Sequence, residues 1–453
     1  MKLASTAPKK KQQMGTSPHR PSSIFFTKKF LFRATFLLLF LAFLRHYVFP
    51  TPTSTIQQQQ QQQQEVANPS IQSKKTSTLP PTTSSQGIPR DDAERPCDYA
   101  DGRWVRSERG PLYNGTSCGT IKEGQNCMAH GRPDAGYLRW RWQPDGCALR
   151  PFDPLAFLGL IRGRHLAFVG DSLARNQLES LLCLLSSASP PELVYRDGDD
   201  NKFRRWVFSS HNATVSVFWS PFLVRGIEKS PETGRVHNQL FLDHVDERWA
   251  SELDRIDAVV LSVGHWFLLP AFFNEGGRVV GCHICPPGAN HTEAGFFDAF
   301  RKAVRTTLRD VARRRGSHKH VVLTTFSPAH FDGEWDKAGA CPKEEPFGEG
   351  EKEMEYVDTE MRKIEVEEVA AVAAEGAGGR QPVSFEALDV TKLAMMRPDG
   401  HPGPYMYPNP FADGPKDRVP NDCVHWCLPG PVDTWNEILL EMMSRWRETE
   451  SGR

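Results

Sequence analysis

Beyond residue 150, short apolar runs alternate with longer segments of helical period. The run HLAFV (165–169) reads as a strand, and the segment after it places Leu178, Leu181, Leu182 and Leu185 on one helical face. Alternating positions in RWVFSS and TVSVFW, around 205–219, predict a hairpin. IDAVVLSV (256–263) predicts a strand, Phe297, Phe300, Val304, Leu308 and Val311 mark a helix, and HVVLTTF (320–326) predicts another strand. An acidic helix near 352–373 precedes the strand-like VSFEALDV (383–390). The last helix is expected to open at Pro431-Val432-Asp433-Thr434, with Glu437 placed for a capping box, and to run to about Trp446. Strands alternating with helices predict an α/β fold whose mainly parallel sheet is covered on both faces. Active sites in such sheets form beyond the carboxyl ends of the strands.

Residues 95–150 have a different texture. CDYADGRWV, QNCMAHGRPD and YLRWRW show little helical period, and Cys97, Cys118, Cys127 and Cys147 fall among turn residues and Trp104, Trp140 and Trp142. A small disulfide-stapled module is predicted here, followed by the α/β domain over 151–453. Residues 50–94 contain almost no large apolar residue, and they include an eight-glutamine tract. Such a segment buries too little surface to offset its ordering entropy, so it reads as a flexible stem. Before it, FLFRATFLLLFLAFL (30–44) follows seven basic residues, among them Lys28 and Lys29. Snorkelling by Arg33 and Arg45 extends this short apolar stretch into a signal anchor over 30–49. The basic tail 1–29 then stays cytosolic and the rest is lumenal, a type II orientation. A cleaved signal peptide is the rival, but RHYVFPTPTS offers no small-residue cleavage site.

Charge and cysteine usage agree with that reading. The chain carries 55 basic and 55 acidic residues, so no nucleic-acid partner is expected, and the basic run ARRRGSHKH (312–320) reads as a solvated helix end. All ten cysteines follow the anchor, where an oxidising lumen would pair them. The sequons at Asn114, Asn212 and Asn290 are lumenal glycosylation candidates.

Two stretches carry the candidate chemistry. In AFVGDSLARNQ (167–177), Ser172 follows the first strand of the α/β domain, where a nucleophile and a routine helix cap look alike. A nucleophilic hydroxyl needs a base, and the base needs an orienting group. In VPNDCVHWCLPGPVDTWNEILL (419–440), Asp422 and His425 are spaced so that a carboxylate can hold one imidazole nitrogen while the other faces Ser172.

Gly-Asp-Ser after a first strand, with Asp-x-x-His before the last helix, resembles the SGNH/GDSL esterase arrangement. Residues 95–446 more closely resemble the plant trichome birefringence-like family of cell-wall polysaccharide O-acetyltransferases. The matching stretches are CDYADGRWV, QNCMAHGRPDAGYLRWRW, FVGDSLARNQLESLLCLL, SVGHWF, HFDGEWDKAG, RPDGHP and NDCVHWCLPGPVDTWNEIL. The resemblance implies a three-layer α/β/α fold and a Ser172–His425–Asp422 triad forming an acetyl-serine. It implies no bound cofactor or metal, but an acetyl donor, either acetyl-CoA or an acetylated intermediate supplied by a partner membrane protein. The implied acceptor is a hemicellulose, most like xyloglucan, with mannan or xylan as alternatives, and the implied location is the Golgi membrane. An acetylesterase or a non-catalytic glycan scaffold are the competing readings.

Further residues follow from the same likeness. Asp171, Arg175, Asn176, Gly264 and His265 are candidates for the oxyanion site or cleft, although the Gly-x-Asn-Asp of wider GDSL enzymes is missing. Trp140, Trp142, Trp266, Trp335 and Tyr405 are candidate acceptor platforms, and the Pro/Gly-rich loop 397–420 is a candidate determinant of acceptor choice. The implied disulfides are Cys97–Cys147, Cys118–Cys183, Cys127–Cys427 and Cys341–Cys423. Cys282 and Cys285 are left as a local disulfide or two thiols.

Overall fold

A computed structural model describes residues 97–451, except 198–201, 231, 233, 315–319 and 377–382. The predicted tail, anchor and stem lie outside the described residues.

The centre of the fold is β3 (His165–Gly170), buried along its whole length. Its neighbours β6 (Ala213–Trp219) and β9 (Ala258–Ser262) both run parallel to it. A strand covered on both faces must be apolar throughout, which is why HLAFV shows no alternation. The sheet continues through β12 (His320–Thr324) to β13 (Ser384–Leu388), both parallel. On the other side β5 (Phe203–Phe208) and β4 (Glu192–Arg196) are antiparallel, and β4 is an exposed edge. The hairpin around 205–219 is the β5–β6 pair.

Alternate residues of β3 divide the core. Leu166 and Phe168 pack with α1 (Pro154–Leu160), α2 (Ser172–Ser186) and α5 (Asp433–Ser451). Ala167 and Val169 pack with α3 (Phe297–Arg313) and α4 (Tyr356–Gly376) on the opposite face. The result is the three-layer α/β/α arrangement. A second sheet was not legible in the pattern: β7 (Val224–Ile227), β8 (Asn238–Val245), β10 (Ala271–Glu275) and β11 (Arg278–His283), in the order β11-β10-β8-β7.

The N-terminal module contributes a two-stranded ribbon, β1 (Gly102–Arg106) and β2 (Trp140–Pro144). Trp104 faces Trp142 across it, with ring centroids 5.5 Å apart and edge to face. Such a pair adds about 0.5–1.5 kcal/mol beyond area burial. Both indoles belong to the same core as α2 and α5, so the module shares its interior with the α/β domain. Disulfides Cys97–Cys147, Cys118–Cys183 and Cys127–Cys427 staple it, the last two reaching α2 and the segment before α5.

The expected capping box at Glu437 is not formed. Glu437 accepts a hydrogen bond from the Phe152 N–H at 3.4 Å, because it faces the module rather than its own helix start. Asp433 holds the helix entrance instead, accepting from the Gly430 N–H at 3.2 Å and from the hydroxyls of Ser180 (2.6 Å) and Tyr113 (2.7 Å).

Candidate active site

The turn carrying Ser172 is fixed by short, local bonds. Gly170 leaves β3 so close to β9 that a Cβ there would lie 1.8 Å from the Ser262 carbonyl oxygen, which only glycine allows. Asp171 then donates its N–H to the same carbonyl at 3.1 Å. Its buried carboxylate caps α2 through the Leu173 N–H (2.9 Å) and ties β9 through the Gly264 N–H (3.1 Å). Burial pushes this carboxyl up to about 6, against the opposing pull of the Leu173 N–H and the charge of His425. Ser172 is half-buried and opens α2. As the first residue of a helix it has a backbone N–H with no intrahelical acceptor.

The His425 loop is held by distant segments. Asp422 Oδ2 lies 2.7 Å from His425 Nδ1, and Oδ1 accepts from the N–H groups of Val424 (3.0 Å) and His425 (2.9 Å). Burial alone would raise the Asp422 carboxyl; the His425 charge, the ring hydrogen bond and the two backbone donors override it and hold it well below the usual carboxylate range. Asp422 therefore stays ionised and fixes the tautomer with hydrogen on Nδ1. His425 Nε2 is buried and has no hydrogen-bond partner.

Asn176 joins the two halves. It lies one turn after Ser172 on the same face of α2. Its amide oxygen accepts from the Trp426 N–H at 2.7 Å and its amide nitrogen donates to the Trp426 carbonyl at 3.2 Å. The residue after His425 is thereby docked onto the Ser172 end of the helix. Disulfides Cys341–Cys423 and Cys127–Cys427 bracket the base on both sides.

Several candidates take other places than expected. Gly264 gives its N–H to Asp171 and has none left for an oxyanion, while Asn176 is buried and spends its amide oxygen and one amide hydrogen on Trp426. Trp142 is 1% exposed and donates its indole N–H to the Tyr99 carbonyl, and Trp140 lies under the Arg106 guanidinium at 4.7 Å. Both belong to the module's packing, which leaves no open face on Trp142 for a sugar. Tyr405 is half-buried, meets Phe411 at 6.2 Å, and its carbonyl faces His130 Nδ1 at 2.8 Å.

The remaining candidates gather near the dyad. His265 donates from Nε2 to the Ser327 carbonyl at 2.9 Å, and burial pulls its ring down to about 4, so it is neutral; the charges of His425 and Asp422 both act on it. Trp266 meets Trp219 edge to face at 5.4 Å, and the Arg175 guanidinium lies over Trp219 at 5.0 Å. The Arg175 guanidinium forms no hydrogen bond with another described residue, which leaves its donors available. The Trp335 carbonyl accepts from the N–H of Asn421, the neighbour of Asp422, at 2.9 Å.

Sequence reasoning missed the segment 397–403, read there as a Pro/Gly loop. Its first residues are buried, beginning with the Arg397–Asp399 ion pair at 2.8 Å. Arg132 of the module donates to the carbonyls of Asp399 (2.7 Å) and His401 (2.8 Å), and Gly403 exchanges backbone bonds with Asp422. The motif RPDGHP was visible, but nothing in local composition marks an arginine as buried. Cys282 and Cys285 are joined to each other at the end of β11. Among the described residues no three His, Cys, Asp or Glu side chains gather as metal ligands. The sequon residues Asn114, Asn212 and Asn290 are all exposed.

Comparison with known proteins agrees with this geometry. Residues 149–442 match the PC-esterase family, described as a GDSL/SGNH-like acyl-esterase family found in Pmr5 and Cas1p, and residues 95–148 match the PMR5 N-terminal domain. The chain is 64% identical over 363 residues to xyloglucan O-acetyltransferase 1 of Populus trichocarpa, covering 80% of this chain and 84% of that protein. It is 62% identical over 352 residues to xyloglucan O-acetyltransferase 1 of Arabidopsis thaliana, covering 78% and 81%. It is 45% identical over 360 residues to protein trichome birefringence-like 25 of Arabidopsis thaliana, covering 77% and 76%. The chain thus belongs to the PC-esterase family of GDSL/SGNH-like acyl-esterases.

Proposed function

We propose that this chain is an O-acetyltransferase that acetylates xyloglucan through an acetyl-serine at Ser172. The observation that carries the reading is His425: its Nδ1 is clamped by an ionised Asp422 while its buried Nε2 lacks a partner, on a loop docked to the Ser172 helix. Ser172 Oγ attacks the acetyl carbonyl of the donor and His425 Nε2 takes the hydroxyl proton. The donor's leaving group departs with that proton, leaving acetyl on Ser172. A sugar hydroxyl then gives its proton to His425 and attacks the ester, and the returning proton frees Ser172. General-base help of this kind contributes about 10²–10⁴ in rate. The Ser172 N–H and the unpaired donors of Arg175 are suited to the developing oxyanion. Trp266, next to His265, and Trp335, bonded to Asn421 beside Asp422, are the proposed acceptor contacts.

The donor is an acetyl ester or thioester, acetyl-CoA or an acetylated membrane partner. The acceptor class follows the names of the similar plant proteins. A Golgi location with a type II anchor at 30–49 is proposed from the sequence and accords with five disulfides among the described residues.

The test incubates the purified full-length chain, wild type and Ser172→Ala, with an acetyl donor and unacetylated xyloglucan, glucomannan or xylan oligosaccharides. Mass spectrometry follows the sugars and the Ser172 peptide. Acetyl on Ser172 and on xyloglucan, both lost in the variant, is expected. Acetyl-serine that yields only free acetate would establish an esterase instead. Transfer that survives Ser172→Ala would overturn the mechanism.

A further inference from the structure

Behind the His425 loop lies a pair of histidines that no step above uses. His401 is 3% exposed and its ring stacks on Trp426 with centroids 4.2 Å apart. His401 Nδ1 lies 2.7 Å from the His425 carbonyl oxygen, and its Nε2 lies 2.7 Å from His330 Nδ1. His330 Nε2 lies 2.7 Å from the Met395 carbonyl oxygen, and the His330 backbone N–H donates to the Cys423 carbonyl at 3.0 Å. A carbonyl offers only lone pairs, so each outer ring nitrogen must carry a hydrogen. The inner nitrogens need one hydrogen between them, because two bare lone pairs at hydrogen-bond separation repel. Two neutral imidazoles hold two N–H groups, and this chain of contacts needs three.

We propose that His330 and His401 are positioning residues of the acetyl-transfer site, sharing one proton that locks the His425 carbonyl and thereby orients the base. The inference rests on the triad reading above and adds to it two residues that touch no substrate. The bonded pair carries one positive charge. Asp422 favours that charge on His401 and Glu355 favours it on His330; Lys352, His425 and the Arg132 guanidinium at the His401 carbonyl oppose it. Burial pulls both rings down, His330 to about 4 as it does His265, and His330 opposes a second charge on His401. Against that pull stand the bonds to the Met395 and His425 carbonyls and the inner bond between the rings, which forms only with the third proton. The two rings therefore titrate as one unit that binds a single proton and releases it as the pH rises. Release breaks the inner bond and frees the His401 ring that grips the loop. With that grip released the base loses its orientation, so the pair gives the rate an alkaline limb.

The test compares pH profiles of kcat for acetyl transfer by the full-length wild type, His401→Leu and His401→Asn. Leucine keeps apolar bulk against Trp426 but drops the bond to His425; asparagine supplies an amide N–H to that carbonyl without needing a second ring or a third proton. Wild type is expected to lose at least about fivefold in kcat along the alkaline limb. His401→Leu should sit about tenfold below the wild-type maximum at every pH with KM unchanged, the effect of one buried hydrogen bond, so its deficit against wild type narrows along the alkaline limb. His401→Asn should recover to within about threefold of wild type and show no alkaline limb. NMR of ¹⁵N-histidine-labelled Ser172→Ala chain reads the pair without turnover, and one ring protonated on both nitrogens, losing a proton at the pH of the limb, is expected. Two singly protonated rings throughout about pH 5–8, or an alkaline limb kept by His401→Asn, would overturn the shared proton. A doubly protonated ring in a chain that transfers no acetyl would sustain the pair and sink the transferase reading alone.

Discussion

The turn that presents Ser172 and the loop that presents His425 are built from different kinds of contact. Ser172 owes its place to residues on either side of it and to the adjacent strand: Gly170, the Asp171 cap, Ser262 and Gly264. His425 owes its place to chain hundreds of residues away. Cys127 is 300 residues from Cys427, Asn176 is 250 from Trp426, and the Gln125 carbonyl accepts from the Leu428 N–H at 2.8 Å. A strand-to-helix turn orients its own first residue, since both flanking elements have fixed geometry. A loop has no such frame and must borrow one. Here the frame is shared: the N-terminal module supplies Cys127 and the Gln125 carbonyl, and α2 supplies Asn176, so the module helps to place His425 although it supplies no triad member.

The largest expected effect lies inside the dyad. Asp422→Asn keeps the shape but removes the charge that fixes the His425 tautomer, and kcat should fall about 10⁴-fold with little change in Tm. Acetylation rates followed by mass spectrometry check this; a loss under tenfold would remove Asp422 from the mechanism. Next come the long-range ties. Replacing both Cys127 and Cys427 by Ala should cost about 2–4 kcal/mol of stability and about 10²-fold in kcat, as expected when reacting groups shift by an ångström. Differential scanning calorimetry and kinetics on the same preparation separate the two effects. Equal kcat in a destabilised protein would show that the disulfide steadies the fold without placing the base. Asn176→Ala leaves the Trp426 N–H and carbonyl unpaired in a buried site, for a cost of about 1–3 kcal/mol. Its kcat should fall about tenfold, whereas Leu173→Val, on the Ser172 side, should leave kcat within about twofold.

The same contrast explains how much could be read beforehand. The strands and helices of the parallel sheet follow from local periodicity, and Ser172 sits where such a sheet places a site. The base was singled out from the spacing of Asp422 and His425, and a family likeness then joined it to Ser172, because spacing cannot say that residue 425 returns to residue 172. Gly264 and Asn176 were placed in the right neighbourhood but given the wrong work: a motif marks a residue as present, while the partners of its N–H or amide depend on tertiary packing. His330, His401 and Arg132 were invisible as site residues for the same reason. Each acts on a backbone carbonyl, His401 on that of His425, His330 on that of Cys423 and Arg132 on those of Asp399 and His401, and backbone acceptors have no signature in sequence. The second sheet escaped notice because β8 and β10, though parallel neighbours, are joined by a long connection through β9 of the other sheet.

The smallest predicted effect tests whether the seam between module and α5 shares in this frame. Glu437 is enclosed there; burial pushes its carboxyl up to about 7, opposed by the Phe152 N–H and aided by nearby Asp433. An acid whose pKa is raised on folding stabilises fully below its unfolded value, near 4.3, and that stability is lost as the pH climbs through about 7. Glu437→Gln cannot ionise, so it should match the wild-type Tm at low pH and exceed it above neutrality. The gain should be a few degrees, at ~2–4 °C per kcal/mol for a domain of this size. Thermal unfolding from about pH 5 to 8 measures it directly. A difference in Tm that does not grow with pH would mean that Glu437 is already paired when charged. If instead the pH profile of kcat moves with the variant while Tm does not, the seam acts on the His425 loop itself, and the frame extends from the disulfides into the start of α5.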